Sequence, residues 1–305
     1  MKYIEIKNSD LTVSNIALGC MRISSMSIDE VENLVKKAID FGINFFDHAD
    51  IYGGGKSEEL FGEVIKRNPN IRKNIIIQSK CGIRKGFYDS SKEHIISSVE
   101  KSLKRLNTDY LDILLIHRPD TLMETDEIGE AFKYLYDKKM VRYFGVSNMN
   151  ATQIELIQRS IGQKLLFNQL QFSIVHSIIV DEEFNVNMKS KEPFNYGGSI
   201  LDYSRINDIT IQAWSVLQAS WEEGSFLGNP KYQRLNEKLY ELSLKYNVKP
   251  SAIAVAWILR HPAQIQAIVG TTNLTHLEDL VKANDFVLDR KEYYELYLSA
   301  NKILP

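Results

Sequence analysis

Four side chains able to take part in proton transfer stand at or just beyond the ends of short apolar stretches. Asp47 follows Ile43–Phe46, Tyr52 comes five residues later and precedes three glycines, and Lys80 and His117 end two later stretches. A phenol has a pKa of about 10 in water, and a neighbouring ammonium lowers that pKa by favouring the phenolate. A carboxylate can hold the ammonium, and an imidazole can donate a hydrogen bond to a carbonyl oxygen. Each residue alone is more often a turn residue, a solvated charge or a packed side chain, so the fold must bring them together.

Apolar stretches alternate with segments of helical periodicity along most of the chain. They predict eight strands, which are Ile16–Gly19, Ile43–Phe46, Ile75–Lys80, Leu111–Ile116, Val141–Val146, Leu165–Leu170, Ile209–Trp214 and Gln264–Val269. Helices are predicted at Ile28–Phe41, Ser57–Lys66, Ser91–Leu106, Asp126–Lys138, Thr152–Ser160, Ser199–Ile206, before Tyr246, after Pro250, and at Leu274–Ala283 and Arg290–Ala300. We expect Ser57 to cap its helix. A hairpin is predicted within Lys2–Ser14, and Ser173–Asn207 is predicted to be less regular, with a polar segment at Asn185–Tyr196.

Eight strands, each followed by a helix and without a break in composition, predict one domain over residues 1–305. We expect an α/β fold, a single closed (β/α)8 TIM barrel with an N-terminal β-hairpin and extra C-terminal helices. An open doubly wound sheet is the alternative, but residues 19–22 lack the G-x-G-x-x-G turn that it predicts after the first strand. In a barrel, the C-terminal ends of the strands share one mouth. The four proton-transfer residues are therefore expected to meet there.

The composition is that of an ordinary globular protein, with 44% hydrophobic and 25% charged residues and a formal net charge of −2. We therefore expect no nucleic acid and no membrane surface as partner. The N-terminus has no apolar leader, and no apolar run approaches the ~20 residues that span a bilayer. A cytoplasmic location is predicted. Cys20 and Cys81 share no close spacing, which argues against a zinc site and a disulfide framework.

Three short motifs resemble other active sites but lack an essential feature. Residues 55–57 spell the Gly-Lys-Ser of a phosphate-binding loop, yet Asp50 occupies the position of its first glycine. Residues 40–42 spell the Asp-Phe-Gly of protein kinases, but they precede the His-Arg pair at 117–118, the reverse of the kinase order. Residues 145–149 lack the closing glycine of a serine-hydrolase elbow. With no clustered Cys or His, no metal is expected.

Six segments resemble the successive motifs of the aldo-keto reductases, in the same order. They are Gly42–Gly55, Ser79–Gly82, Leu114–Asp120, Gly145–Asn148, Asn168-Gln169 and Ala213–Ser215. The bacterial oxidoreductase branch of that family is the most similar. By this resemblance Asp47, Tyr52, Lys80 and His117 match the catalytic tetrad. The implied activity is the NAD(P)H-dependent reduction of an aldehyde or ketone to an alcohol by direct hydride transfer, with Tyr52 as proton donor.

The resemblance also implies a nicotinamide cofactor extended across the barrel mouth. Ser147, Asn148 and Gln169 match the residues that bind the carboxamide, and Trp214 matches the aromatic residue that stacks on the nicotinamide ring. The implied cofactor-binding set is completed by Gly19, Cys20, Met21, Asp47, Ser215, Val216, Leu217, Thr271, Thr272 and Asn273. Val216 stands where the family often has proline.

The segment after the eighth strand bears on the choice of cofactor. Family members that prefer NADPH often carry Lys and Arg there, whereas this chain has Gly270 and His276. Hydroxyls, an amide and a helix N-terminus can also bind a phosphate, so NADP(H) is expected, with NAD(H) as the alternative. A monomer is expected, since that is the commoner state in the family. The pocket for the small-molecule carbonyl substrate is expected at Met21, Tyr52, His117, Arg118 and the loop around Trp221.

Two other functions are consistent with parts of the sequence. A non-catalytic regulatory subunit that binds the nicotinamide cofactor would keep the cofactor residues without turnover, and the complete tetrad argues against it. A barrel isomerase or lyase acting on sugar phosphates would need a glycine-rich loop after strands seven and eight, where only Gly270 is present. The reductase hypothesis requires the hydroxyl of Tyr52 to lie within hydrogen-bonding reach of Lys80 or His117.

Overall fold

The structure is a computed structural model that describes residues 1–185 and 198–304. The polar segment predicted at Asn185–Tyr196 lies, apart from Asn185, outside these ranges. The described strands are β1 (Tyr3–Glu5), β2 (Thr12–Ser14), β3 (Ile16–Gly19), β4 (Phe45–Asp47), β5 (Ile76–Cys81), β6 (Ile83–Arg84), β7 (Phe87–Tyr88), β8 (Leu111–Ile116), β9 (Val141–Ser147), β10 (Leu165–Gln171), β11 (Thr210–Trp214), β12 (Gln218–Ser220), β13 (Gly224–Ser225) and β14 (Gln266–Val269). The described α-helices are α1 (Ile28–Asp40), α2 (Lys56–Arg67), α3 (Lys92–Leu106), α4 (Thr125–Asp137), α5 (Ala151–Gln158), α6 (Ile178–Phe184), α7 (Ile200–Ile206), α8 (Gln233–Tyr246), α9 (Pro250–Leu259), α10 (Leu274–Val281) and α11 (Arg290–Ser299).

Eight of the described strands form a closed parallel barrel. Its order is β3, β4, β5, β8, β9, β10, β11 and β14, and β14 pairs again with β3. At least one helix follows every barrel strand before the next one begins. The predicted (β/α)8 TIM barrel, with its N-terminal hairpin and additional C-terminal helices, is therefore confirmed. The open-sheet alternative is excluded because the sheet closes on itself.

The interior of the barrel is filled with apolar side chains towards the N-terminal ends of the strands. Phe45, Ile113 and Phe167 are fully buried in this interior cluster. The hairpin β1–β2 contributes Ile4 and Val13 to the same cluster, so it covers that end of the barrel. A second, larger cluster packs the outer faces of the strands against the helices. This arrangement fills one end of the barrel and places polar strand-end residues at the other.

Two element boundaries near Asp47 differ between the prediction and the structure. Strand β4 ends at Asp47, which is therefore a strand residue and not the first residue of the loop. The prediction that Ser57 caps helix α2 is wrong, because the left-handed turn at Gly53–Gly55 brings Gly55 to the N-cap position. The Ser57 hydroxyl instead donates to the backbone oxygen of Met21 at 3.3 Å. This hydrogen bond ties the segment after β3 to the first turn of helix α2.

Three short elements were not predicted. Helix α6 lies in the segment that the sequence left irregular, and the hairpins β6–β7 and β12–β13 lie in the loops after β5 and β11. Strands of two or three residues are too short for an alternation of apolar and polar residues to show. In the described part of the chain, no helix has the length and apolar content needed to cross a membrane.

Helices α2 and α3 approach so closely that they leave no room for a side chain at Gly62. A Cβ atom there would lie 2.0 Å from the backbone oxygen of Arg105, which cannot move without shifting helix α3. We expect Gly62→Ala to lower the free energy of unfolding by about 1–3 kcal/mol, as overpacking does. Urea denaturation would measure this, with Gly162→Ala as control because no atom lies within 4 Å of the added Cβ. Equal midpoints for the two variants would contradict the close approach.

Candidate active site

A cavity of about 820 Å³ opens at the C-terminal ends of the barrel strands. Almost all residues of the predicted cofactor-binding set line it, namely Gly19, Met21, Asp47, Ser147, Asn148, Gln169, Trp214, Ser215, Val216, Leu217, Thr271, Thr272 and Asn273. The predicted substrate residues Met21, Tyr52, His117, Arg118 and Trp221 also line it. Cys20 is the exception: its side chain is fully buried in the outer core, so it does not form part of the cavity wall.

The Lys80 ammonium is the centre of the predicted tetrad. Its Nζ lies 2.8 Å from the Asp47 carboxylate, 2.8 Å from the backbone oxygen of His48 and 3.1 Å from the hydroxyl of Tyr52. Strand β5 places Lys80 next to β4, whose last residue is Asp47. Lys80 is 1% exposed and Asp47 is 2% exposed, so both charges are buried. The three acceptors use all three N–H bonds of the ammonium.

Tyr52 reaches Lys80 because the chain turns sharply after β4. The chain then enters the left-handed turn at Gly53–Gly55, and the phenol ring meets the ring of His117 edge-on at 6.1 Å and 81°. The condition set from the sequence, that the hydroxyl reaches Lys80 or His117, is met through Lys80. Asp47, Tyr52, Lys80 and His117 therefore lie together, as predicted from their positions at consecutive strand ends.

The charges on Lys80 and Tyr52 follow from burial and from each other. Burial opposes the charge on Lys80, but attraction by Asp47 and Tyr52 outweighs it, and the pKa of Lys80 is raised. Burial also raises the pKa of Tyr52, and the opposing effect of Lys80 is smaller. The expected lowering by a neighbouring ammonium is present, but the burial of the phenol outweighs it. At neutral pH the phenol keeps its proton, the form that a proton donor needs.

His117 follows β8 directly and is held by its backbone, whose N–H donates to the Cys81 oxygen at 2.8 Å. Burial, followed by repulsion from Lys80 and Arg118, lowers its pKa well below the ordinary value. The imidazole is therefore neutral at neutral pH. Its Nδ1 is buried without a hydrogen-bonding partner among the described residues. A neutral imidazole at the cavity wall has one N–H with which to polarise a carbonyl oxygen.

The neighbouring residue His48 does not belong to the tetrad. Its ring is fully buried and meets the ring of Phe61 edge-on at 4.6 Å. Burial lowers its pKa to about 3, and the charge on Lys80 adds to the effect. Only the backbone oxygen of His48 reaches the site, where it accepts from Lys80.

The amide-rich side of the cavity is held in place by hydrogen bonds. Ser147 donates through Oγ to the backbone oxygen of Gln169 at 2.9 Å and accepts from Asn148 Nδ2 at 2.7 Å. The indole N–H of Trp214 donates to Asn148 Oδ1 at 3.2 Å. Asn148 and Ser215 both have positive φ, 58° and 55°, which is uncommon outside glycine and is found at functional sites. These residues form a prearranged polar wall beside the partly buried indole of Trp214.

The far end of the cavity has the chemistry of an anion site. Asn273 caps helix α10, and Thr271 and Thr272 precede it along the cavity wall. Arg22, a residue that sequence reasoning missed, donates through Nη1 to the backbone oxygen of Gly270 at 2.8 Å. A Cβ at position 270 would lie 3.0 Å from that nitrogen, so glycine gives the guanidinium its space. Hydroxyls, an arginine and a helix N-terminus fit the phosphates of a nicotinamide cofactor.

Comparison with known proteins agrees with this geometry. A sequence profile of the aldo/keto reductase family matches residues 15–297. The chain is 32% identical over 298 residues to the oxidoreductase YdhF of Escherichia coli K12, covering 94% of this chain and 93% of YdhF. It is also 32% identical to a 6-dehydroglucose reductase of Agrobacterium fabrum, with 95% of each chain covered. The crystal structure of a thermostable aldo-keto reductase, Tm1743, matches with a TM-score of 0.80 and 26% identity, covering 98% of this chain and 100% of that one.

The chain therefore belongs to the aldo/keto reductase family. It is a member of a family of oxidoreductases that use nicotinamide cofactors, and bacterial oxidoreductases are among its relatives, as the resemblance of the six segments predicted. The residues that sequence reasoning missed are Arg22 and three buried glutamines, Gln78, Gln212 and Gln266. The only signal for the glutamines was one amide within each of the third and seventh predicted strands and two, at positions 264 and 266, within the eighth.

We expect His117 to stay neutral far below pH 6.5, the ordinary pKa that it regains on unfolding. Because the unfolded chain then binds one more proton, this residue's contribution to stability is complete above pH 6.5. It is lost as the pH falls, by up to about 1.4 kcal/mol per pH unit. Urea unfolding between pH 7.5 and 5 should therefore show a shallower decline for His117→Gln than for the wild type. A His117 ring resonance that titrates near pH 6.5 in NMR spectra would contradict the burial argument.

Proposed function

We propose that this protein reduces an aldehyde or ketone to an alcohol, with Tyr52 as the proton donor. The observation that carries the proposal is the position of Lys80 Nζ, which bridges the Asp47 carboxylate and the Tyr52 hydroxyl in a buried site. The cofactor, when bound, supplies a hydride to the carbonyl carbon. The residues of the chain then have to supply a proton to the carbonyl oxygen.

Tyr52 would donate that proton from its hydroxyl, which is protonated at neutral pH because a phenol has an ordinary pKa of about 10 and burial raises this pKa further. The phenolate left behind would lie 3.1 Å from the Lys80 ammonium, which stabilises it. Asp47 keeps that ammonium charged and oriented. The raised phenol pKa thus suits the protonated ground state, and the ammonium acts on the charge that develops later.

His117 would orient the substrate by donating its single N–H to the same carbonyl oxygen. A neutral imidazole polarises the carbonyl without a second positive charge next to Lys80. Arg118 and Trp221 line the outer part of the cavity, where they would contact the remainder of the substrate. The Arg118 guanidinium lies 5.8 Å from the ring centre of Trp214, so this part of the pocket combines aromatic surface with a cation.

The cofactor would be held along the lined wall of the cavity. Ser147, Asn148 and Gln169 would bind the carboxamide and Trp214 would stack on the nicotinamide ring. The loop of Ser215–Leu217 and the segment Thr271–Asn273 would contact the phosphates. NADP is the proposed preference, supported by the guanidinium of Arg22 at the end of the cavity where α10 begins. This cation occupies the region where family members that prefer NADPH carry Lys and Arg.

Replacing Tyr52 by phenylalanine tests the proton donor. We expect Tyr52→Phe to lower kcat for aldehyde reduction by about 10²–10⁴-fold, because general acid catalysis is lost, while the Kd for NADPH stays within a few-fold. Turnover of a panel of aldehydes and fluorescence titration with NADPH would measure the two effects. Tyr240→Phe, at an exposed position away from the cavity, is the matched control. NADPH binding without turnover in the wild type would instead favour the regulatory-subunit alternative.

Cofactor preference is tested through Arg22. We expect the wild type to bind NADPH more tightly than NADH, and Arg22→Ala to weaken NADPH binding by about tenfold or more, the strength of a hydrogen bond to a charged group. NADH binding should change little, since only NADPH carries the additional phosphate. Fluorescence titration of both cofactors decides this, with the exposed Arg234→Ala as control. An equal loss of affinity for NADH would mean that Arg22 contacts a part of the cofactor that NADH and NADPH share.

A further inference from the structure

Four glutamine side chains lie inside the barrel, where Gln169 lines the cavity and the other three lie beneath the cavity wall. Gln78, Gln169, Gln212 and Gln266 are each at most 2% exposed. Three of them stand side by side on β10, β11 and β14, since Gln169 pairs with Gln212 in the register of the strands and Gln212 with Gln266. Gln78 lies on β5, which pairs with neither of the strands next to β11. Contacts between Gln78 and this row therefore cross the barrel interior.

The lower part of this cluster begins at a backbone carbonyl. Gln266 Nε2 donates to the backbone oxygen of Ser14 at 2.7 Å, and Ser14 ends the hairpin strand β2. Gln266 Oε1 accepts from Gln212 Nε2 at 2.8 Å. A carbonyl oxygen can only accept, so Ser14 obliges Gln266 to present its nitrogen downwards and its oxygen towards Gln212.

The upper part of the cluster ends at the catalytic carboxylate. Gln212 Oε1 accepts from Gln78 Nε2 at 2.9 Å and from Gln169 Nε2 at 3.1 Å. The same two nitrogens donate their second N–H bonds to Asp47 Oδ1, at 2.6 Å from Gln78 and 2.9 Å from Gln169. A carboxylate, like a carbonyl oxygen, can only accept hydrogen bonds, so the amides at both ends of the cluster must present N–H groups. With acceptors at both ends, each of the four amides has a single orientation that satisfies its neighbours.

Gln78 shows that this orientation is imposed and not a local preference. Its Oε1 is buried without a hydrogen-bonding partner among the described residues. Rotating the amide by half a turn would place that oxygen against Asp47 Oδ1 and against Gln212 Oε1, two acceptors. The unpartnered oxygen is therefore the consequence of keeping two N–H bonds in place.

We propose that these glutamines form a directed amide chain, anchored at the Ser14 carbonyl, that positions Asp47 and thereby the Lys80 ammonium. Gln212 and Gln266 make no hydrogen bond to Lys80 or Tyr52, so they act as positioning residues. The amide chain also determines the orientation of the Gln169 side-chain amide, because both of its N–H bonds are donated to Asp47 and Gln212. Its Oε1 is the polar atom left for the cavity, so it would accept from the N–H of the carboxamide. The kinetic part of this inference rests on the proposed function, and the binding part needs only the cofactor.

The test removes the anchor at the position farthest from the reacting groups. Gln266→Met keeps the volume but has no N–H to donate to Ser14 and only a weakly accepting sulfur for Gln212, which frees Gln212 to rotate. We expect kcat to fall by about tenfold or more with little change in the KM for the aldehyde, since misplaced catalytic groups cost rate more than binding. The Kd for NADPH should rise several-fold, because Gln169 loses its enforced orientation.

Gln266→Glu is the matched rescue variant. Burial favours the neutral acid, which donates one hydrogen bond and accepts one, as the amide does. We expect it to restore most of the kcat and the Kd that Gln266→Met loses. Ile113→Val is the control for loss of packing alone, because Ile113 is fully buried in the interior cluster but is not part of the amide chain.

The proposal is overturned if Gln266→Met lowers the melting temperature but leaves kcat and the Kd for NADPH at wild-type values, since the amides would then serve packing only. It is also overturned if Gln266→Glu is as impaired as Gln266→Met. Should Gln266→Met fail to fold, Gln266→Asn, whose shorter amide cannot reach both neighbours, takes its place with the same criteria. A wild type that binds NADPH without turnover would count against the proposed function alone, and the Kd values would still decide the role of the chain.

Discussion

The buried ion pair between Lys80 and Asp47 is the interaction on which the rest of the site depends. A charge buried without its partner costs about 3–5 kcal/mol, so neither residue is stable there alone. The pair is tolerated because every N–H bond of the ammonium has an acceptor and the carboxylate receives two amide donors. Because all three N–H bonds of the Lys80 ammonium have acceptors, the ammonium is held in one position. A phenol that accepts the third N–H bond, as Tyr52 does, is thereby held in one position as well.

The closed barrel accommodates this buried ion pair because it separates apolar from polar layers along its axis. Strand residues two apart point to the same side, so Gln78 and Lys80 both face inwards from β5, one below the other. Below them the interior is apolar and is covered by the hairpin β1–β2. Polar side chains are consequently confined to a layer that begins at the glutamines and ends at the mouth. A cofactor and a substrate can meet the ion pair only from that side.

Some of the site could be predicted because its signals are local. Asp47, Lys80 and His117 each end an apolar stretch, and the repetition of such stretches predicted the barrel that gathers them. The pKa of Tyr52 could not be predicted, because its direction depends on how deeply the phenol is buried relative to its distance from Lys80. The turn at Gly53–Gly55 was visible as three glycines, but its left-handed course, which displaced the expected cap at Ser57, depends on backbone angles.

The sequence by itself determined the alternation of strands and helices, the fold class that follows from it and the four residues proposed for proton transfer, because periodicity and residue type are properties of neighbouring positions. Tertiary structure alone decided which glutamines meet, how Arg22 comes to lie against Gly270 and why Cys20 is turned away from the cavity. These are contacts between positions as far apart as Ser14 and Gln266, 252 residues along the chain. Their geometry depends on the register in which the barrel closes, and no single strand carries that information.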